Sequence, residues 1–433
     1  MRYFSPAMVR FMGVALLACA GLSGCGGGGG SGNSSSNAAA PSPASAASPA
    51  STPVATAPAQ PAPPAAPVNT TVTQSTTANV QPITVANIAT GTRNMLQTSV
   101  TICVPGTTTC QTIDNIQVDT GSQGLRILAS VLSPALALPS VTSSAGSTVG
   151  QCSVFGTGYT WGAVRSADIQ LAGEVAPGTS IQVIADPALP TVPTDCANAG
   201  ISMQTATTLR SNGILGVGPF AVDCGASCAS TALSRWYYAC SGGTCTSSTL
   251  AVSQQVANPI SRFAADNNGL VIELPAVAAT GASAVTGTMT FGIGSQANNA
   301  LGSAQVLPSN TATGFVSTVF QGLTYGTSFI DSGSNGLFLT LTSLPKCGLW
   351  FCPTSPQSYA ATVTGTDGST ANATFAIGNA TTLFGSGNNA FSNLAGPSSS
   401  YFDWGLPFFF GRRIFTAIES RVTPAGNGPY YAF

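Results

Sequence analysis

The sequence has 433 residues, only 6% of them charged, with twelve Lys and Arg, thirteen Asp and Glu, and no histidine. The missing histidine excludes Ser-His-Asp and Cys-His nucleophile systems and most metal-hydrolase ligand sets. Acid–base chemistry near neutral or acid pH must then fall to carboxylates. A single lysine, Lys346, argues against nucleic-acid binding. We expect neither a metal nor a cofactor.

The N-terminus predicts an exported, lipid-anchored protein. Arg2 and Arg10 form a positive segment, the apolar stretch "FMGVALLACA" is too short to span a bilayer, and "LSGC" ends at Cys25. Residues 1–24 therefore read as a signal peptide. "LSGC" is similar to a bacterial lipobox, which implies acylation of Cys25 and an outer-membrane lipoprotein facing the periplasm or the cell surface. An ordinary cleaved signal with Cys25 as a spare thiol is the alternative.

Residues 25–80 contain Gly, Ser, Ala, Pro and Thr without a single charge. Such a composition predicts a disordered tether, extended where it is rich in proline. The remaining residues, 81–433, are enough for a large buried core. Short runs of Thr, Ser, Val and aromatic residues between turns predict a mainly β fold with few short helices. We expect a monomer.

Cysteine usage agrees with export. Cys19 leaves with the signal peptide and Cys25 carries lipid, so ten of the twelve cysteines remain. In an oxidising compartment, an even number favours five disulfides over metal sites. Spacing alone does not fix connectivity. It suggests one longer pair, Cys152/Cys196, and four small loops: Cys103/Cys110, Cys224/Cys228, Cys240/Cys245 and Cys347/Cys352.

One motif occurs twice in the chain. "DTGSQGLRI" begins at Asp119 and "DSGSNGLFL" begins at Asp331; five of the nine positions are identical. An apolar strand precedes each aspartate, and the glycine at Gly121 or Gly333 allows another group to approach closely. If both turns meet, the two carboxylates share one proton, because like charges so close cannot both persist. One aspartate then acts as a base for water and the other as an acid, a pairing well known from aspartic proteases.

Beyond the twin motif, the chain resembles the pepsin-like aspartic peptidases. Their opening hairpin is similar to "NMLQTSVTICVPGTTTCQTIDNIQVDTGS", and their flap is similar to "FGTGYTWG". The segment behind the first aspartate is similar to "NGILGVG". In the second lobe, the entry is similar to "GTMTFGIGSQANNALGS" and the final helix and strand are similar to "WGLPFFFGRRIFTAIE". The motifs are also similar to those of an uncharacterised family of proteobacterial lipoproteins. The resemblance implies a bilobal double β-barrel with pseudo-twofold symmetry. Its N-terminal lobe, 81–265, would carry Asp119, and its C-terminal lobe, 266–433, would carry Asp331.

The resemblance also implies roles for individual residues. Asp119 and Asp331 would be the catalytic pair, Thr120 and Ser332 would bond across to the opposite loop, and Ser122 and Ser334 would orient the aspartates. The flap would comprise Phe155, Gly156, Thr157, Gly158, Tyr159 and Trp161.

Three positions depart from the family. Phe155 stands where a flap tyrosine is usual, with Tyr159 or Trp161 as substitutes for its polar group. Arg126 stands where many members have tryptophan. The aliphatic-aliphatic-Gly segment of the second lobe is reduced to Trp404-Gly405-Leu406, with Pro407 expected to disturb its register.

Two functions fit this sequence. The first is an endopeptidase that hydrolyses peptide bonds with water activated between Asp119 and Asp331. The second is a catalytically weak or inactive module that binds a polypeptide or glycan between the lobes. Both aspartates and both flanking serines favour the first, and the altered flap favours the second. The terminal "YYAF" would also suit an outer-membrane β-barrel, but the small cysteine loops and scarce ten-residue alternating strands argue against that reading.

Overall fold

A computed structural model describes residues 78–433 and shows a mainly β protein. The predicted signal peptide, the lipidation site Cys25 and nearly all of the predicted tether lie outside the described residues. The folded part begins slightly earlier than expected, because the first strand starts at Val80 and Asn79 is already buried. Within residues 78–433, no helix is long and apolar enough to cross a membrane.

The strands up to residue 265 are β1 Val80–Val85, β2 Leu96–Cys103, β3 Cys110–Asp119, β4 Gln123–Leu128, β5 Thr148–Val154, β6 Gly158–Leu171, β7 Glu174–Ile184, β8 Ile201–Ser202, β9 Gly213–Val217, β10 Tyr237–Ser241 and β11 Thr244–Ser247. Short α-helices occupy Thr194–Ala197, Ala206–Leu209 and Ala226–Ser230, and 3-10 turns occupy Ala129–Val131, Val252–Gln254 and Pro259–Arg262.

The strands after residue 265 are β12 Gly269–Leu274, β13 Val285–Phe291, β14 Val306–Pro308, β15 Val316–Phe320, β16 Leu323–Asp331, β17 Leu337–Leu339, β18 Lys346–Cys347, β19 Trp350–Phe351, β20 Gln357–Thr364, β21 Thr370–Ile377, β22 Ala395–Pro397, β23 Phe402–Gly405, β24 Arg412–Ala417, β25 Val422–Thr423, β26 Gly426–Asn427 and β27 Tyr430–Ala432. One α-helix spans Ala380–Gly385, and 3-10 turns span Ala297–Asn299 and Leu406–Phe408.

Two sheets contain most of these strands. The larger has sixteen strands, in the order β11-β10-β5-β6-β7-β4-β9-β3-β2-β1-β13-β12-β24-β27-β14, with β8 attached to β6. An additional pairing between β2 and β6 closes β6-β7-β4-β9-β3-β2 into a ring. The smaller sheet has seven strands, in the order β21-β20-β15-β16-β23-β17-β22. The larger sheet takes strands from both sides of residue 265, because β1 pairs with β13 along its whole length.

Burial follows the strand patterns. In β21, every second residue is buried, from Ala371 to Ile377, as expected for a strand with one face on the core. In β9 and β23 every residue is buried, so these strands are covered on both faces. A single large apolar cluster contains residues from both sheets, including Ile116 beside the first motif and Ile330 beside the second.

The five predicted disulfide pairings are confirmed. The structure joins Cys103 to Cys110, Cys152 to Cys196, Cys224 to Cys228, Cys240 to Cys245, and Cys347 to Cys352. Because disulfides form and persist in oxidising compartments, they indicate an exported protein.

We expect the Cys152–Cys196 disulfide to contribute most to stability. It closes 44 residues, whereas Cys103–Cys110 closes 7. The entropy of loop closure grows with loop length, so replacing Cys152 and Cys196 by alanine should lower the free energy of unfolding by about 4 kcal/mol, against about 2.5 kcal/mol for Cys103 and Cys110. Denaturant unfolding of the two double variants measures the difference; equal losses would contradict the ranking.

Candidate active site

The two Asp-x-Gly-Ser turns occupy the same place in two copies of one strand arrangement. In the first copy, β3 runs parallel to β9 and places Asp119 opposite Gly216, and β4 returns antiparallel on the other side of β9. In the second copy, β16 runs parallel to β23 and places Asp331 opposite Gly405, and β17 returns along β23. Each aspartate therefore ends a buried strand at an equivalent point.

This duplication corrects one expectation from the sequence. Trp404-Gly405-Leu406 keeps the register of Leu215-Gly216-Val217, because Gly405 faces Asp331 as Gly216 faces Asp119. Pro407 does not disturb the pairing, since it lies beyond β23 in the 3-10 turn Leu406–Phe408. Gly405 is required here, because a Cβ on it would lie 2.1 Å from the Gly336 carbonyl oxygen.

The turn glycines let the two aspartates meet. A Cβ on Gly121 would lie 2.6 Å from Cγ of Asp331, and a Cβ on Gly333 would lie 2.6 Å from Oδ1 of Asp119. Real Cβ atoms do not approach other atoms so closely, so any larger residue would displace the opposite carboxyl. Each glycine of the motif thus makes room for the aspartate of the other copy.

Reciprocal hydrogen bonds lock the turns together. The Thr120 amide donates to Ser332 Oγ at 3.1 Å, and the Ser332 amide donates to Thr120 Oγ1 at 2.9 Å. The two hydroxyls then donate across to the strands before the opposite aspartate, Thr120 to the Ile330 carbonyl at 3.0 Å and Ser332 to the Val118 carbonyl at 2.9 Å. These contacts match the cross-bonding that the resemblance implied. All of them are buried, where hydrogen bonds hold their geometry against competition from water.

Each carboxyl receives the same two donors from its own turn. The Gly121 amide donates to Asp119 Oδ1 at 2.7 Å and the Ser122 hydroxyl to Oδ2 at 2.5 Å. The Gly333 amide donates to Asp331 Oδ1 at 2.7 Å and the Ser334 hydroxyl to Oδ2 at 2.9 Å. Ser122 and Ser334 therefore fix the planes of the two carboxyls, as the motif predicted.

The two carboxyls face each other, because a Cβ on Gly333 would lie 2.6 Å from Asp119 Oδ1 and 3.0 Å from Asp331 Oδ1. Burial, followed by the charge of Asp119, raises the pKa of Asp331 well above its usual value. Two carboxyls this close cannot both stay charged, so the pair holds one proton between them. We call Asp119 and Asp331 the dyad. It can offer a base and an acid at the same pH.

A third carboxyl, which sequence reasoning missed, lies next to the dyad. Asp403 is in β23 and is 3% exposed. Its Oδ1 is buried without a hydrogen-bond partner among the described residues. Burial, followed by the charge of Asp331, raises its pKa well above the usual value for aspartate. An alignment of the two copies on Gly216 and Gly405 would have found it, because Asp403 takes the place of Ile214.

Arg126 connects the first turn to its surroundings. Its guanidinium donates to the Gln123 carbonyl at 2.7 Å and to Ser153 Oγ on β5 at 2.9 Å, and lies 3.4 Å from Asp223. Arg126 also lies over the Phe155 ring, 5.6 Å from its centroid. A cation–π contact thus joins the strand after the first turn to Phe155.

Asp223 anchors the far side of Arg126. It accepts a hydrogen bond from the Tyr237 hydroxyl at 2.5 Å and another from Gln151. Burial raises the pKa of Asp223 to about 6, although the Arg126 charge opposes the shift. No pattern in the sequence predicts this network, because its members are brought together only by the folding of β4, β5 and β10.

The predicted flap forms a hairpin between β5 and β6. The Phe155 amide donates to the Gly158 carbonyl at 2.7 Å, so Gly156 and Thr157 form the tip. The hairpin packs on the chain at residues 201–203: Gly158 pairs with Ile201, and the Thr157 hydroxyl lies 3.1 Å from Met203 Sδ.

Trp161 and Tyr159 do not serve as replacements at the hairpin tip. Trp161 is fully buried, and its indole N–H donates to the Leu189 carbonyl at 3.0 Å. Tyr159, two residues earlier on the same face of β6, packs into the same cluster around Cys152 and Cys196. Alternate residues of a strand point to one side, so both rings face the interior. Trp161 therefore belongs to the hairpin by its backbone, while its side chain is part of the core.

We expect the protein to be more stable in acid than at neutral pH. Asp223, Asp331 and Asp403 all have raised pKa values in the fold, so above pH about 4 the unfolded chain releases protons that the folded protein keeps. Each such carboxyl lowers the free energy of unfolding by about 1.4 kcal/mol per pH unit until its folded pKa is passed, which for Asp223 is about 6.

Denaturant titrations at a series of pH values between about 4 and 7 measure this slope. Asp403→Asn and Asp223→Asn should each flatten it, since neither asparagine ionises. Asp114→Asn, at an exposed position of β3, serves as the control and should leave it unchanged. A free energy of unfolding that rises with pH over this range would contradict the prediction.

Within residues 78–433, no group of three or more His, Cys, Asp or Glu side chains is arranged to hold a metal ion. A comparison with curated proteins finds none that matches the chain. One family model matches residues 75–433, which includes both turns, the hairpin and Asp403. The chain belongs to the family described as "Protein of unknown function (DUF3443)".

Proposed function

We propose that the chain is an aspartic endopeptidase of the pepsin-like type, anchored to the outer membrane through a lipid on Cys25. The observation that carries the proposal is the pair of facing carboxyls of Asp119 and Asp331, held by two symmetric turns. Hydrolysis of a peptide bond needs a base for water and an acid for the carbonyl oxygen, and a dyad with one proton supplies both.

In this mechanism Asp119 is the base and Asp331 is the acid. Burial and the charge of Asp119 raise the pKa of Asp331, so we assign the shared proton of the resting dyad to Asp331. A water between the carboxyls gives its proton to Asp119 as it attacks the peptide carbonyl, and Asp331 protonates the carbonyl oxygen. The resulting gem-diol collapses when the proton on Asp119 moves to the leaving nitrogen, while the hydroxyl proton returns to Asp331.

The Gly-rich turns support this role by their donors. Four donors from the turns fix both carboxyl planes, so little reorganisation is needed when charge moves between the aspartates. An extended polypeptide is the substrate that we propose, since the dyad lies where two halves of the fold meet.

A binding module remains the second candidate, and two observations favour it. Phe155 contacts Arg126 and brings no hydroxyl to the hairpin, so a donor that many pepsin-like enzymes use at this place is missing. A pocket of about 410 Å³ also opens beside β15 and β16, lined by residues that include Asn310, Thr313, Phe315, Ser317 and Thr364. Hydroxyl and amide groups around an aromatic ring are typical of a site for a polypeptide or a glycan.

We expect the purified protein to cleave an unfolded protein at mildly acid pH. Below the active range both carboxyls of the dyad are protonated and no base remains; above it the dyad has lost its shared proton and no acid remains. Asp119→Asn and Asp331→Asn should each reduce cleavage by about a thousandfold. A pepstatin-like mimic should inhibit, because its hydroxyl occupies the position of the water.

Asp114→Asn is the matched control, because Asp114 lies on the same strand as Asp119 but is exposed. It should cleave like the wild type. Peptide products are measured by mass spectrometry across pH about 3 to 7. If the folded wild type binds peptides but releases no products at any of these pH values, the endopeptidase proposal fails and the binding module replaces it.

The anchor gives a separate prediction. Cys25→Ala should move the protein from the membrane fraction to the soluble fraction and abolish incorporation of labelled fatty acid, because Cys25 is the residue to which the lipobox assigns the lipid. Cys19→Ala lies within the signal peptide and should change neither. Membrane association that persists in Cys25→Ala without fatty-acid labelling would show that another contact holds the protein.

A further inference from the structure

A bulge in the smaller sheet lies beside the pocket at β15 and β16. The pairing of these strands shifts after Val316, so that Gly326 and Thr327 of β16 lie opposite Ser317 of β15 alone. Gly326 and Ser317 both line the pocket. A Cβ built on Gly326 would meet no other part of the described chain within 4 Å, so the missing side chain leaves the space open. The pocket volume of about 410 Å³ is in the usual range for a small-molecule site.

The pocket lies away from the dyad. Gly326 precedes Asp331 by five positions on β16, which is about 17 Å along an extended strand. The Phe315 ring lines the pocket and lies 5.9 Å from the Phe329 ring, which stacks on Tyr401 at 5.8 Å. A row of aromatic rings thus supports one wall of the pocket.

Polar groups on the pocket wall are free to bond a ligand. Asn310 Oδ1 accepts hydrogen bonds from the amides of Ala312 and Thr313, at 2.9 and 3.0 Å, so the side-chain orientation is fixed by its oxygen. The NH2 group of Asn310 and the hydroxyl of Thr364 have no hydrogen-bond partner in the part of the chain that the structure describes. A ligand can bond them without breaking a bond in the protein.

The lining does not suit a charged ligand or an extended polypeptide. None of the described residues that line the pocket is charged, and neighbouring Asp367 accepts from the Ser369 amide in its own turn. A charged ligand would lose hydration here without gaining a counter-charge. An extended polypeptide would find no free strand edge, because β15 already pairs with β16 and β20, and β16 with β15 and β23.

We propose that this pocket binds a neutral saccharide. Sugar hydroxyls both donate and accept hydrogen bonds, which matches the free groups of Asn310 and Thr364. The face of a sugar ring presents C–H groups with partial positive charge, and these suit the negative face of the Phe315 ring. The site would hold the protein on a glycan without occupying the dyad. It does not rest on the proposed peptidase activity.

Calorimetric titration of the full-length protein tests the proposal. The neutral probes are cellotetraose, maltotetraose, xylotetraose and chitotetraose, which differ in sugar and linkage. The comparators are tetragalacturonate, which is charged, and a neutral extended hexapeptide. We expect at least one neutral saccharide to bind with a Kd below about 1 mM, and neither comparator to bind in the pocket.

Three substitutions locate the binding. Gly326→Phe should abolish it, because the new ring fills the pocket. Thr364→Val keeps the shape and should raise the Kd about fivefold through the loss of one hydrogen bond. Phe315→Leu should raise it by a similar factor through the loss of the ring face. The matched controls should leave the Kd unchanged: Gly385→Phe, at another glycine with open space beside it, and Thr324→Val, at an exposed position of β16 outside the pocket.

The outcomes are distinct. Failure of all four neutral saccharides to bind at millimolar concentration would overturn the proposal. Saccharide binding that survives both Gly326→Phe and Thr364→Val would also overturn it, since the ligand would then lie elsewhere. Binding of tetragalacturonate or of the hexapeptide that Gly326→Phe abolishes would show that the pocket takes an anion or a polypeptide instead. If Gly326→Phe does not fold, Thr364→Val alone decides. The titration needs no turnover, so its result is separate from whether the dyad cleaves peptides.

Discussion

The meeting of the Asp119 and Asp331 carboxyls is the constraint on which the rest of the site depends. Two facing carboxyls must share a proton, and the fold has to keep them together despite that constraint. It does so with glycines that leave room for the opposite carboxyl and with the reciprocal bonds of Thr120 and Ser332. Those bonds involve backbone at the ends of buried strands, so the position of the carboxyls is set by two sheets rather than by flexible loops.

Burying ionisable carboxyls lowers the free energy of unfolding, and other parts of the structure offset that loss. Asp331, Asp403 and Asp223 all have raised pKa values from burial, so each opposes folding once the unfolded chain can ionise. An apolar cluster shared by both sheets and five disulfides stabilise the fold against this cost. A protein built in this way suits an acid environment, which is also where a dyad with one proton can work.

The sequence predicted the parts of the fold that rest on local signals. The mainly β fold follows from short runs between turns, the cysteine pairs follow from small loops, and the two turns follow from a repeated motif. It did not predict the Asp403 contact, because 72 residues separate Asp403 from Asp331 and only the register of β23 brings them together. The burial of the Trp161 ring was missed for a similar reason: its neighbours in sequence form the hairpin, but the direction of its side chain is set by the pleat of β6.

Because β23 keeps the register of β9, other residues of the two copies can differ while the two aspartates stay in equivalent places. The positions of Arg126, Ile214, Phe338 and Asp403 lie one layer behind the aspartates, where a change alters the electrostatic surroundings but not the turn itself. Arg126 is bonded to the first turn, to β5 and to Asp223, so its charge is fixed close to Asp119. Asp403 is buried on β23, with one carboxyl oxygen that has no hydrogen-bond partner among the described residues. The two nearly identical turns therefore have unlike electrostatic surroundings, with a cation near Asp119 and a third carboxyl near Asp331.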